Sequence, residues 1–358
     1  MKKRFFAGLT LALTVLFSFG LLSAADKTTT PERRKGKTAA MIEKLLPPEL
    51  HRSLNLIPED AIAVGFINAE VITKGKLFSE VLKSIGMDWN ALLAATGGKK
   101  EDTDACTLFY VKLAPADAKA TAMPALEVGG AIVCKYASTV REQFGKSVEE
   151  LRKGMDELDP NAKSDVKVEK IKVEDRDAIL VSIPSQNVTV LSIAAGKNVI
   201  QFRCFLNFEP VKALIPARGE VTSLAASLNL KSAFAVAIDG ARILTMLGEI
   251  AEDPTLKTIR IASCSVNEKK NGLAIVLRIA SNMDGVQQIK AQIEAALNGL
   301  KEDITLGSVV SKTSVTVENG TDVVVRSFIP SELILQNLQV YQEMNSASAE
   351  SQSEPAAK

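Results

Sequence analysis

The side chains that run most hydrolytic and metal chemistry are sparse in this chain of 358 residues, which has one His, one Trp, three Tyr and four Cys. A nucleophilic triad needs a base, usually His. The single candidate, His51, lies in Pro47-Pro48-Glu49-Leu50-His51-Arg52, which reads as a polar segment where His serves as a surface or capping residue. No Gly-x-Ser-x-Gly elbow is present. Gly145-Lys146-Ser147 has the ending of a phosphate-binding loop. Val140 stands where the first glycine of that motif belongs, and the preceding residues read as helix. No catalytic residue, cofactor-binding residue or cofactor is therefore assigned.

Metal chemistry fares no better. Cys106, Cys134, Cys204 and Cys264 make no Cys-x-x-Cys pair, and a structural zinc site wants clustered Cys and His ligands. Asp102 and Asp104 offer oxygen ligands, but no calcium loop ending in Glu surrounds them. They read as part of a solvated loop, and no metal is assigned. Cys106 lies in the strand-like run Ala105–Leu113 and Cys134 in Ala125–Tyr136. If the two runs form a hairpin closed by Ala114–Pro124, position 106 falls near position 134. A cross-strand disulfide between Cys106 and Cys134 is then a candidate. The alternative is that each is a small buried apolar residue. Cys204 and Cys264 cannot be paired from sequence. Gly129-Gly130, inside the second run, suggests a bulge.

Disulfides are expected where the compartment is oxidising, and the N-terminus points to one. Lys2, Lys3 and Arg4 precede an apolar run from Phe5 to Leu22, and Ser23-Ala24-Ala25 gives small residues before Asp26. This is a signal peptide with cleavage after Ala25; an uncleaved anchor is the alternative. The short basic start reads as bacterial, so the expected destination is the periplasm or the extracellular space. No later stretch is long and apolar enough to span a membrane, so the mature chain is expected to have no transmembrane span.

Composition narrows the classes further. Hydrophobic residues are 46% and charged residues 24%, ordinary for a globular protein. Lys and Arg number 43 against 42 Asp and Glu, without the basic excess of a nucleic-acid binder. Aromatics at 5% argue against the stacking platforms of a sugar cleft.

The elements that would position any site come from an internal duplication. Ser53-Leu54-Asn55-Leu56 recurs as Ser227-Leu228-Asn229-Leu230, and Ala61–Phe66 matches Ala233–Ile238. Each copy reads as a buried strand turning into a helix, with apolar spacing shifting from two to the helical period. Two strands follow in each copy, Ala105–Leu113 and Ala125–Tyr136 in the first, Thr258–Val266 and Leu273–Ala280 in the second, the latter pair closed by Asn271-Gly272. A helix then runs over Thr139–Met155 or Asp284–Leu300. A closing hairpin spans Val166–Ile183 or Ser308–Ile329, each ending in Ile-Pro.

The predicted fold class is α+β: two tandem repeats of a β-α-β-β-α-β-β unit, antiparallel sheets backed by helices. The expected organisation is a signal peptide over 1–25 and a leader with an N-terminal helix over 26–52. Repeat one covers 53–218 and repeat two 219–344, before a disordered tail over 345–358. Repeat one carries an extra hairpin, Val188–Ile193 and Val199–Phe205, and a connector over Phe208–Arg218.

The segment Leu56-Ile57-Pro58-Glu59-Asp60-Ala61-Ile62-Ala63-Val64, leading to Phe66-Ile67-Asn68 and matched by Ala237-Ile238-Asp239, resembles an uncharacterised group of exported bacterial proteins with duplicated α+β repeats. No activity or site comes with that resemblance. The expected function is an exported, non-catalytic binding or scaffold protein of the bacterial cell envelope. Its partner is an unknown protein, lipid or envelope polymer, and no nucleic acid is expected. The alternatives are a His-independent carboxylate hydrolase and a carrier of a hydrophobic ligand.

Overall fold

The computed structural model describes residues 48–84, 106–113, 125–133, 146, 167–207, 209–247, 254–303 and 306–339. Helix α1 (Pro48–Leu54) opens the described chain. Pro48 stands first in this helix, where proline is tolerated because its missing N–H would have no helical partner; residues 26–47 of the expected leader lie outside the described residues. Strand β1 (Ala63–Asn68) runs directly into α2 (Ala69–Lys74), where the Asn68 side chain accepts from the Val71 N–H. Gly75 then separates α2 from α3 (Lys76–Ser84), so the single helix expected from the periodicity is two.

Strands β2 (Cys106–Leu113) and β3 (Leu126–Val133) pair in unbroken register. Gly129 and Gly130 therefore make no bulge. The strands β4 (Lys167–Val173), β5 (Arg176–Ile183), β6 (Val188–Gly196) and β7 (Val199–Leu206) form two successive hairpins. Glu174 and Asp175 close the first of these with positive φ at both positions, the backbone that matches strand twist.

The second half begins with α4 (Ser223–Ala226) and β8 (Phe234–Asp239), which runs into α5 (Gly240–Leu247). Hairpin β9 (Ile261–Lys269) and β10 (Gly272–Ala280) follows, then α6 (Met283–Gly299), capped by Asn282. A short helix α7 (Gly307–Val310) occupies the place predicted to start a strand, which begins only at β11 (Ser314–Glu318). Strand β12 (Asp322–Pro330) completes the sheet.

The twelve strands make one antiparallel sheet, ordered β11-β12-β10-β9-β8-β1-β2-β3-β7-β6-β5-β4. The halves meet at β1 and β8, which pair from Ala63↔Ile238 to Ile67↔Phe234. Hairpin β6–β7 lies between β3 and β5, whereas β12 pairs directly with β10. The two sides of the sheet are covered differently. On one side Val64, Phe66, Leu108, Ala131, Ala235 and Ala237 pack with Leu50 and Leu54 of α1 and Leu224 of α4. On the other, Val286 and Ile289 of α6 pack on Val323, Ile279 and Val317.

The centre of the seam is the pair Gly65↔Val236. Next to Gly65 stands Phe109, and next to Val236 stands Cys264. A Cβ on Gly65 would overlap the Phe109 ring. A small residue beside a large one on one flank thus fills the space that two middle-sized residues fill on the other, which keeps interior density. Gly65→Val is expected to cost about 1–3 kcal/mol by overpacking. Adding Phe109→Ala should return most of that loss, read as the urea midpoint of the double variant against each single one.

Candidate functional site

Residue Glu127 is the strongest departure from an apolar pattern among the described strands. It sits in Leu126-Glu127-Val128 of β3, on the side of the sheet that α1 covers, and is 2% exposed. A buried carboxylate survives only if its charge is compensated and its lone pairs are used. Neighbouring strands do both. Arg203 of β7 donates from Nε to Glu127 Oε1 at 2.8 Å, and the Tyr110 hydroxyl of β2 donates to the same oxygen at 2.6 Å. Lys112 places its ammonium 3.5 Å from Oε2.

Geometry for this convergence comes from Gly129. It stands between Tyr110 and Arg203 across the three strands. A Cβ there would overlap the Tyr110 phenol. Its absence lets the ring lie across β3 and reach Glu127. The Arg203 guanidinium also lies 5.0 Å from the centre of the Phe205 ring, a cation–π contact.

Burial works to raise the Glu127 carboxyl, but the hydrogen bonds from Arg203 and Tyr110 and the charges of Arg203 and Lys112 outweigh it, and the group is held below its ordinary value. Burial first, and then the bond to Glu127, push the Tyr110 phenol far above its ordinary value. Neither group is poised to exchange a proton near neutrality. The cluster is an anchor, not an acid–base pair.

What it anchors is the connector between β7 and α4. Residues 209–222 form neither helix nor strand. This strap crosses the sheet, and its main chain is held by side chains. Arg203 Nη1 donates to the carbonyls of Val211 and Ala213, each at 3.3 Å. Gln201 accepts from the Ile215 N–H at 2.8 Å, and Glu174 accepts from the Leu214 N–H at 3.3 Å. Ile215 is buried, and Leu214 packs against the core formed by Leu180, Leu191 and Phe205. Beyond the seat, the Arg218 N–H donates to the Asn55 carbonyl and its guanidinium reaches Glu59. Beside the strap lies an open cleft of about 390 Å³, lined by the polar residues Glu174, Arg176 and Gln201 and by Leu56, Leu214 and Pro216 among its apolar ones.

Other charges are paired on the surface. Arg278 bridges Glu318 at 2.9 Å and Asp322 at 2.8 Å. Hydrogen bonds from Arg326 and Arg278 hold the Glu318 carboxyl below its ordinary value. Glu268 of β9 accepts from the N–H groups of Leu77 and Phe78, both at 3.0 Å, so a carboxylate of the second half caps α3 of the first.

The residues singled out from sequence are scattered. Cys106 stands opposite Val133, and Cys134 lies outside the described residues. Cys204 in β7 and Cys264 in β9 are on different sheet halves. Burial raises both thiols, Cys264 to about 11. His51 falls on α1. Asp102, Asp104, Gly145 and Ser147 lie outside the described residues. Among the described residues no group of His, Cys, Asp and Glu is arranged to hold a metal, and no helix is long and apolar enough to cross a membrane. The Glu127 cluster was missed. Its signal was an acid in one apolar strand and an Arg in another, Phe202-Arg203-Cys204.

No protein-family model matches the chain, and no curated protein does. Solved structures of TP0453 are similar to it. Crystal form III is 12% identical, covering 81% of this chain and 98% of that one, with a TM-score of 0.38. Crystal form IV is 11% identical, covering 81% and 96%, with a TM-score of 0.39. Identity and TM-score at this level assign neither family nor activity.

The Glu127 anchor has a signed pH dependence. Its carboxyl is depressed in the folded chain, so the folded state binds fewer protons than the unfolded one. Its contribution is full above the ordinary value of 4.5 and is lost as pH falls through the lower folded value. Glu127→Gln leaves Arg203 buried without its counter-charge and is expected to cost about 3–5 kcal/mol at neutral pH. The urea midpoint followed from neutral to acid pH should also lose part of its slope in this variant.

Proposed function

We propose that this chain is an exported, non-catalytic binding or scaffold protein of the bacterial cell envelope. The observation that carries the reading is the use made of Glu127. It is the one acidic residue among the described ones that is almost wholly buried. It is spent on Arg203, Tyr110 and Lys112, beneath a strap, and does not line the cleft beside that strap. A carboxylate hydrolase needs two acids converging on a substrate, one of them held above its ordinary value. Glu127 and Glu318 are both shifted the other way. The extended sheet surface, braced by ion pairs, suits contact with a partner better than chemistry.

We further propose that the chain holds two copies of one module, over 53–218 and 219–344. Support comes from β1 and β8, which share length, burial pattern and the polar residue that starts the following helix, Asn68 or Asp239. Both flank the seam and are followed outward by a hairpin, β2–β3 or β9–β10. Strands 63–68 and 234–239 correspond one residue out of step with the match of Ala61–Phe66 to Ala233–Ile238. The antiparallel seam maps onto itself when the copies are exchanged, the mark of an isologous contact.

Export is tested by expressing the full chain with a C-terminal tag and fractionating the cells. The expected product lacks residues 1–25 and is found with the envelope or periplasm. Full-length product in the cytoplasm would sink the reading. Peptide mapping of that exported protein without reductant is expected to recover Cys106 linked to Cys134. Recovery of both as free thiols removes the disulfide.

A further inference from the structure

We propose that the seat beneath the strap is a peptide-binding groove, filled here by the chain's own residues 211–217. In their place it accepts an extended segment of another protein with two adjacent aliphatic residues before a proline. This rests on the binding-protein reading above and names the partner's chemistry.

Three observations carry it. First, the seat reads main chain. Arg203 takes two carbonyls, while Gln201 and Glu174 take successive N–H groups. Such contacts give affinity without fixing sequence, and pockets for side chains add the choice. Second, the seat is set from behind. Arg203 is held by Glu127, which is held by Tyr110, and none of these bonds involves the strap. A groove whose polar groups are already oriented loses little on binding. Third, the occupant is held at its middle, where Ile215 is buried, and is open on either side of it. It pairs with no strand, its Val211 side chain is 48% exposed, and Pro216 and Ala217 are exposed. The adjoining cleft leaves space beside Leu214 and Pro216 that the strap does not fill.

The strap competes as an intramolecular ligand, with an effective concentration on the order of millimolar. A rival peptide must overcome that, or the strap must be weakened. The test uses a fluorescent peptide of residues 209–217 and the full chain carrying Leu214→Ser and Ile215→Ser. Binding is expected to this variant and, at the same concentration, not to the unaltered chain. A peptide with its two aliphatic residues replaced by Ser should not bind. In the unaltered chain a change to the seat affects both competitors and cancels. In the weakened chain it does not, so adding Gln201→Ala should lower affinity by roughly tenfold. A folded double variant that does not bind overturns the proposal, as does binding indifferent to Gln201→Ala.

If the double variant does not fold, the unaltered chain is titrated to several times the millimolar range and amide exchange is followed at Leu214 and Ile215. Faster exchange there is expected as the strap is displaced, and unchanged exchange overturns the proposal. An exported chain that ignores the peptide defeats only this inference. A cytoplasmic chain that binds it defeats only the localisation.

Discussion

The molecule depends on a single backbone ladder, the pairing of β1 with β8. Each strand has a neighbour in its own half, β2 or β9, and a second edge that would leave a row of N–H and C=O groups without partners. An exposed edge of that kind invites pairing with another chain. Joining the two edges satisfies both and produces one sheet from two. The apolar core on the α1 side then follows, because Val64, Phe66, Ala235 and Ala237 become neighbours only when the ladder forms. Side chains reinforce it. Arg242 of α5 donates to the carbonyls of Glu59 and Ala61, just before β1, and Glu268 of β9 caps α3.

With the sheet in place, its two halves differ in what they cover. In the second, α6 packs on one side, and the other carries the Arg278, Glu318, Asp322 and Arg326 pairs near the edge. In the first, hairpin β6–β7 brings Gln201, Arg203 and Phe205 to the α1 side. That is where the strap needs partners for its main chain. The hairpin and the seat are thus one feature. Without β7 next to β3, Glu127 has no Arg203, and the strap has no donor for its carbonyls.

Local structure was legible in the sequence where short-range physics decides it. Alternation gave most strands to within a few residues, and the apolar face Val286, Ile289, Ile293 marked α6; the β9–β10 hairpin forms as expected, but its turn falls on Lys270-Asn271, and Gly272 already pairs with Lys269. The misreadings were also local in origin. Two adjacent glycines in a strand suggest a bulge, yet Gly129 and Gly130 stay in register and Gly129 makes room for Tyr110. Gly75 separates α2 from α3, a break that apolar spacing does not show. What could not be read was pairing over long separations: the seam, the place of β6–β7 between β3 and β5, and the meeting of Tyr110, Glu127 and Arg203. No periodicity records which distant strand will lie alongside, and a charged residue in an apolar run looks the same whether it faces water or a hidden counter-ion.

The seam also sets an order of events during synthesis. Strand β1 leaves the ribosome with β2 and β3 close behind, so its inner edge is soon paired. Its outer edge must wait until nearly the whole of the first half, the strap and α4 have followed. Contacts this far apart in sequence close late, because loop closure comes before the reward of pairing. Through that interval the growing chain carries a sticky strand. That edge stays open until β8 (Phe234–Asp239) has been made, about two thirds of the way along the chain.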